Sequence, residues 1–412
     1  MADLTEVEHI KAESRHLRGT IADGLVDPVT GSIADADTQL TKFHGIYQQD
    51  DRDIRSERKR QKLEPAWSFM IRARIPGGLL TTSQWLGVDR IASDFANNSI
   101  RLTTRQAIQY HGVVKRNLKR TIAEINQATL DTIAACGDVN RNVMSPPLPS
   151  FSGLHRKVQS HAEALSEHLM PTSRAYHEIW LDGEKIESSK AEVEPIYGDT
   201  YLPRKFKAAF VIPPQNDTDV FAQDLGFIAI VQDGALAGYN VTVGGGMGMT
   251  HGETATYPRL GDVLGFIQPS DLLAVAEAVV TTQRDYGDRT NRKHARLKYT
   301  IDDRGVDWFR GEVEQRSGVS FADPAPYAFV GNGDVYGWNR DDTGAWHYSL
   351  FVQNGRVADF GERRLKSGLR AIAKLHNSEF RLTPNQNLII SKVADSDKPR
   401  IDALLQEYGI EN

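Results

Sequence analysis

Apolar and polar positions alternate along residues 99–113, "SIRLTTRQAIQYHGV". Read as one extended segment, Ile100, Leu102, Ile108 and Tyr110 face a core, while Arg101, Thr103, Arg105, Gln109 and His111 share the opposite face. The pattern returns at 380–390 as "FRLTPNQNLII". Upstream of each copy lies a strand–turn run, "FMIRARIPGGLL" and "HYSLFVQNGRVA". Each of these is followed by helical periodicity, "SQWLGVDRIASDFA" and "RRLKSGLRAIAKLH", and helical runs also follow the copies, "KRTIAEINQATLDTIA" and "KPRIDALLQEYG". Each unit matches a ferredoxin-like α+β half. The predicted fold is therefore α+β, with N- and C-terminal half-units related by a pseudo-twofold. Residues 65–140 plus 347–412 form the paired repeat domain, and 141–346 form an inserted α+β domain.

The insert carries strand-like runs, "YHEIWLDGEKI", "KFKAAFVIPP" and "FIAIVQDGALAGYNVTVGGG". Its clearest helix is "SDLLAVAEAVVTTQRDYG", with Ser270 as N-cap and Gly287 near its end, followed by the amphipathic "GVDWFRGEVEQRSG". Residues 5–17 predict a helix with Thr5 and Glu8 as a capping box and Gly19 as its stop. The rest of 1–64, through "FHGIYQQDDRDIRSERKRQKLEP", reads as a charged arm suited to a partner rather than to a core, with the globular body starting near Trp67.

Composition narrows the classes. The 412 residues are 40% hydrophobic and 25% charged, ordinary for a globular protein, with a net charge of −5 that disfavours nucleic acid as a partner. The N-terminus lacks a signal-peptide pattern and no apolar run reaches the roughly 18–20 residues of a membrane span, so the expected compartment is the cytoplasm. The single cysteine, Cys136, excludes an intrachain disulfide and any four-thiolate metal site supplied by this chain alone. The histidines show no metal-ligand pairing, and no nucleophile–base spacing is present.

The candidate chemistry is cationic. In the second repeat Asn385 stands where the first has Arg105, Ile389 where it has Gln109, and Ser391 where it has His111. Two copies of one fold dressed so differently point to a ligand on the first, although a solvated face is the simpler use of a basic strand. Lys205 and Lys207 in "YLPRKFKAAF" lie two apart, as do Arg72 and Arg74 in "MIRARIP". The lysine pair fits either a charged edge that discourages pairing or an anion site. Arg141, between asparagines in "GDVNRNVMSPP", is either a loop-satisfying residue or a carboxylate clamp. "TVGGGMGMTHG" has no following helix and no Gly-Lys-Ser/Thr, so it is not a phosphate loop; it fits a plain turn or a close backbone approach to a flat ligand. The run 284–298, with Arg296 among its cations, reads mainly as a solvated face.

Taken in order, "FHGIYQQDDRDIR", "RLTTRQ", "GDVNRNV", "YLPRKFK", "PPQND", "VGGGMG" and "AVVTTQRDYG" resemble the assimilatory sulfite reductase hemoprotein family, within the siroheme superfamily that also holds nitrite reductases. The resemblance spans essentially the whole chain and matches the N-terminal two-thirds of the family pattern. It implies multi-electron reduction of sulfite to sulfide in sulfur assimilation, at siroheme coupled to a [4Fe-4S] cluster, with electrons from a flavoprotein or ferredoxin. It implies anion-holding and proton-supplying roles for Arg72, Arg141, Lys205 and Lys207. Siroheme contacts are implied for Arg101, Thr103, Arg105, Gln109 and His111, with Asn142 beside them, and a siroheme-binding role for the insert. Thr104 stands where some members have asparagine. The family's four cluster cysteines have no counterpart here. The expectation is therefore that the C-terminal iron–sulfur domain is absent, that a separate cysteine-bearing half could supply it, and that this chain alone is inactive. The alternatives are a non-catalytic tetrapyrrole-binding or assembly module and a nitrite reductase.

Overall fold

In the computed structural model, which describes residues 3–147, 153–173, 180–181, 184–185 and 192–410, the two repeats build two five-stranded sheets with the same strand order. The first runs Ile46–Asp50, Trp67–Ala73, Ile108–Val113, Ile100–Leu102, Arg356–Val357. The second runs Gly337–Arg340, Trp346–Leu350, Leu388–Val393, Glu379–Leu382, Leu79–Thr81. The last strand of each sheet belongs to the other half: Leu79–Thr81 pairs with Glu379–Leu382, and Arg356–Val357 pairs with Ile100–Leu102. The halves are thus interlocked by a strand exchange.

Helices Thr82–Phe95 and Leu365–Leu375 follow the exchanged strands and contribute Trp85, Val88, Ile91, Leu369 and Ile372 to one shared core. The first begins with a capping box in which Thr81 Oγ1 accepts from Gln84 N–H (3.1 Å) and Gln84 Oε1 accepts from Thr81 N–H (2.9 Å).

The segment 99–113 is not one strand. It is a hairpin that reverses at Thr103–Gln106, where Thr103 Oγ1 accepts from the amides of Arg105 (3.3 Å) and Ala107 (3.2 Å), and Gln106 takes a left-handed φ of 48°. The second copy reverses in the same way, with Thr383 Oγ1 accepting from Asn385 and Asn387 amides and Gln386 at φ 66°. The two turn glutamines reach across the pseudo-twofold: Gln106 Nε2 donates to Leu382 O (2.9 Å) and Gln386 Nε2 donates to Leu102 O (3.1 Å). Gln106 is fully buried and also bridges Ser145, donating to its carbonyl (2.9 Å) and accepting from its amide (3.0 Å). Gln106→Ala should therefore cost about 2–4 kcal/mol in urea unfolding, because three buried polar groups lose partners. Gln386→Ala, half-buried with one bond, should cost under about 1 kcal/mol. Equal costs would contradict this account.

Other expectations need correction. Ile46–Asp50, assigned to a free arm ahead of a body starting at Trp67, pairs with Trp67–Ala73 as an edge strand, and Gly337–Arg340 extends the second sheet beyond the boundary at 347. The N-terminal helix spans Glu6–Glu13 without a side-chain cap from Thr5; Glu8 is buried against cations instead. Ser270 sits inside the 3-10 turn Pro269–Asp271, and the helix proper is Leu272–Tyr286.

The insert forms a four-stranded sheet in the order Asp262–Ile267, Ala235–Val243, Leu225–Gln232, Ala208–Val211, whose last pair is parallel. Helices Gly153–His168, Leu272–Tyr286 and Val306–Ser317 cover it through Val158, Leu165, Val275, Val279, Phe309 and Val313. Of "YHEIWLDGEKI", only the short strands Trp180–Leu181 and Glu184–Lys185 lie within the described residues. Among the described residues, no helix is long and apolar enough to cross a membrane.

A cationic cavity between the repeat domain and the insert

The hairpin turn projects Arg105 into the insert. Its Nη1 donates to Asn142 O (3.0 Å) and Ala208 O (3.2 Å), and its Nη2 donates to Gln223 Oε1. Burial lowers the Arg105 pKa to about 9; Asp224 opposes this, and Arg141, Arg296 and Arg72 add to it. A guanidinium in that state still carries its proton at neutral pH.

Asn142, buried under the same turn, spends its amide on the scaffold. Nδ2 donates to Ile75 O (2.7 Å), Arg105 O (2.8 Å) and Gln106 O (3.1 Å), and Oδ1 accepts from Ile75 N–H (2.9 Å). It holds the turn against the chain rather than offering its amide to a ligand.

Residues 138–144 run parallel to 202–210. Phe206 N–H donates to Val139 O (3.1 Å), Arg141 N–H to Phe206 O (3.0 Å) and Met144 N–H to Ala208 O (3.2 Å). This pairing brings Arg141 beside Lys205 and Lys207, just ahead of the strand Ala208–Val211. Arg141 donates to Gly137 O from Nε (3.3 Å) and Nη2 (3.1 Å). Neither lysine ammonium has a hydrogen-bond or ion-pair partner among the described residues, and both are largely shielded.

Burial lowers Lys207 to about 7, with Arg105, Arg296 and Lys205 pushing the same way and Asp224 opposing. Lys205 falls to about 8 through burial and then Arg141, Arg296 and Arg204, again against Asp224. Both shifts have one physical cause: an ammonium half-removed from water among fixed positive charges.

Arg72 enters from the sheet. It stands in a cross-strand row with Gln109, Arg101 and Arg356. With the Gln109 amide oxygen turned toward it, Arg72 donates from Nε (3.2 Å) and Nη2 (2.5 Å); Nη1 donates to Cys136 Sγ (2.9 Å). Arg101 and Arg356 lie directly opposite each other, a like-charge pairing that costs stability unless an anion covers it. His111, next along the strand, has Nδ1 3.3 Å from Gln49 Oε1, and burial together with Arg356, Arg101 and Arg72 lowers its pKa.

Arg72, Thr103, Arg105, Arg141, Asn142, Lys205 and Lys207 line one cavity of about 450 Å³, within the ~300–1,000 Å³ range of small-ligand and cofactor sites. Arg101, Gln109 and His111 are outside its lining and form an adjoining strip joined to it through Arg72.

Sequence reasoning missed one contributor. Arg296, assigned to a solvated run, lines the cavity and donates from Nε (3.1 Å) and Nη2 (2.8 Å) to Oδ1 of fully buried Asp224. The sequence signal was its apolar neighbours Ala295, Leu297 and Tyr299, all of which are buried. The glycine loop, read as a plain turn or a close backbone approach to a ligand, has both features. A Cβ on Gly245 would strike the Phe221 carbonyl, while Gly246 and Gly248 line the cavity, and the Lys298 ammonium donates to their carbonyls (3.2 and 2.9 Å).

The residues fit a multiply charged anionic ligand. Arg72, Arg105, Arg141, Lys205, Lys207 and Arg296 face the space, against one lining carboxylate, Asp219, with Asp224 behind. They do not fit an iron–sulfur cluster: the only cysteine is Cys136, and no group of three or more His, Cys, Asp or Glu could hold a metal among the described residues.

Comparison with known proteins recovers the same two halves. A family model described as the nitrite/sulfite reductase ferredoxin-like half domain matches twice, at 64–128 and 339–408, the two interlocked repeats. A model described as the nitrite and sulphite reductase 4Fe-4S domain matches 160–321. The expectation that the domain so described is absent is therefore not borne out, although Cys136 lies outside that span. The structure of Mycobacterium tuberculosis NirA shares the fold, with a TM-score of 0.73 at 24% identity, covering 98% of this chain and 69% of that one. The Staphylococcus saprophyticus sulfite reductase (NADPH) hemoprotein beta-component is 57% identical over 408 residues, 99% of this chain and 72% of the relative. The Myxococcus xanthus protein of the same description is 57% identical over 409 residues, with the same shares. The chain thus belongs to the sulfite reductase hemoprotein β-component family.

Proposed function

We propose that this chain binds siroheme against the cationic cavity and reduces sulfite to sulfide, with electrons drawn from an NADPH-linked flavoprotein. The observation that carries this reading is the convergence of Arg72, Arg141, Lys205 and Lys207 on one cavity with both ammonium groups unpartnered. Siroheme would supply the redox-active iron at which electrons reach the substrate. Arg101, Thr103, Gln109, His111 and Arg296 are the side chains placed to receive its carboxylates. Arg105 and Asn142 fix the turn that carries Thr103.

The remaining chemistry belongs to the protein. Arg72 and Arg141, held by Gln109, Cys136 and Gly137, are preorganised donors for a small oxyanion, and donors fixed in advance need no reorganisation as charge moves. Removing oxygen from sulfite as water consumes protons. Lys207, lowered to about 7, and Lys205, lowered to about 8, give up a proton far more readily than an ordinary lysine and are recharged from water.

The test is spectroscopic. Produced together with siroheme biosynthesis, the protein should retain one tetrapyrrole per chain, and sulfite should perturb its absorption. Lys205→Met and Lys207→Met should keep the tetrapyrrole but weaken the sulfite effect at least ~10-fold. Absence of tetrapyrrole, or a spectrum indifferent to sulfite, would overturn the reading.

A further inference from the structure

Immediately before Arg204 and Lys205, three consecutive backbone carbonyls are each taken by a different cation from elsewhere in the chain. Arg289 Nη2 donates to Tyr201 O (2.6 Å), Lys11 Nζ to Leu202 O (2.8 Å) and Arg292 Nη1 to Pro203 O (3.3 Å). Two buried carboxylates hold these cations in place. Glu8 pairs with Lys11 (2.5 Å) and Arg289 (2.5 Å); Asp138 takes Arg292 on both oxygens (2.8 and 2.9 Å) and lies 3.6 Å from Lys11. Leu202 N–H donates to Asp138 O (3.0 Å), and Thr5 N–H donates to Arg289 O (3.1 Å). The cradle therefore grips two of the segments that deliver cations to the cavity, 138–141 with Arg141 and 201–207 with Lys205 and Lys207.

We infer that Lys11, with Arg289 and Arg292, is a positioning residue for the Lys205–Lys207 segment, so that the N-terminal helix Glu6–Glu13 is a working part of the anion site. A buried ammonium between two acids and a carbonyl is costly to maintain, and three such donors on adjacent carbonyls fix a backbone path that has no strand partner on that side. Tyr201 is held there at a φ of 57°, a conformation side chains rarely adopt. Fixing this backbone keeps Lys205 and Lys207 shielded among Arg105, Arg141, Arg204 and Arg296, where they would otherwise swing toward water. The inference rests on reading the two lysines as the anion-holding pair, but its test reads the lysines themselves and is independent of any turnover.

The experiment is competitive acetylation of the full chain with acetic anhydride from about pH 6 to about pH 11, with each lysine followed by peptide mass spectrometry. In the unmodified protein Lys205 and Lys207 should react with midpoints well below an ordinary lysine. In Lys11→Met both midpoints should rise by about one pH unit, and Lys11→Arg should restore them. Arg289→Gln, which removes a less deeply buried member and is gentler on folding, should shift Lys205 in the same direction and so carries the test if Lys11→Met does not fold. Unmoved midpoints in Arg289→Gln and in any folded Lys11→Met protein would overturn the inference, as would an equal rise in Lys11→Arg. If siroheme or sulfite fails to bind while the midpoints move as expected, the function is wrong and the cradle stands.

Discussion

Replacing Lys207 by methionine is expected to lower sulfite turnover by about 10²–10⁴-fold, the range for losing a positioned proton donor, while tetrapyrrole content stays within a factor of about two. Methionine keeps the length and apolar stem, so the change isolates the ammonium. That group contacts no protein partner among the described residues, so its removal should leave the fold intact or slightly stabilised. The pH dependence has two opposite signs. Anion holding needs the protonated form, so sulfite affinity should weaken as pH rises through about 7, the value to which burial and Arg105 draw this lysine. Folding stability runs the other way. The unfolded chain binds more protons than the folded one between about 7 and the ordinary lysine value, so this group adds stability as pH rises across that window. Urea unfolding of the unmodified protein and Lys207→Met should therefore diverge most at pH 7 or below and converge toward pH 10.5. Bound sulfite, which favours the charged form, should narrow the gap at low pH. An affinity that rises with pH, or a variant as active as its parent, would remove Lys207 from the chemistry.

The repeat was legible because a fold shared by two halves forces the same spacing of leucine, threonine and glutamine on both. The difference between Arg105 and Asn385 was visible because both turns reach the cavity but only the first brings a charge to it. The geometry of the stripe was not legible. Residues 99–113 alternate as a strand would, yet Thr103 closes a turn in the middle with its own hydroxyl, a local side-chain bond that competes with extension. Arg101 and Gln109 ended on the same face all the same, because the hairpin pairs them directly. The strand exchange left no local trace, since Leu79–Thr81 reads identically whichever sheet it joins. How Asn142 is used was hidden for a related reason: a polar side chain near a ligand and one under the ligand's support look alike in sequence, and only the bonds to Ile75, Arg105 and Gln106 show where its amide is spent. Arg296 was lost in a run of cations because Asp224, the residue that explains it, lies far away along the chain.

That pair gives the largest expected loss of stability. In Arg296→Met, Asp224 would remain fully buried with its Oδ1 stripped of both guanidinium bonds, and Oδ2 has no partner even now. Stranding one member of a buried ion pair costs about 3–5 kcal/mol, more than any cavity left by a side chain of similar bulk. The loss should be read by urea unfolding at neutral pH. Arg296→Met combined with Asp224→Asn should recover more than half of the loss, since a neutral amide in that position is far cheaper to bury than an anion. The same double variant separates the two duties of Arg296. Stability returns with the acid removed, but the cationic lining does not, so anion affinity should stay as weak in the double variant as in the single. Recovery of affinity along with stability would show that Arg296 only neutralises Asp224; loss of affinity without loss of stability in Arg296→Met would show that Asp224 tolerates burial alone and that the guanidinium serves the ligand directly.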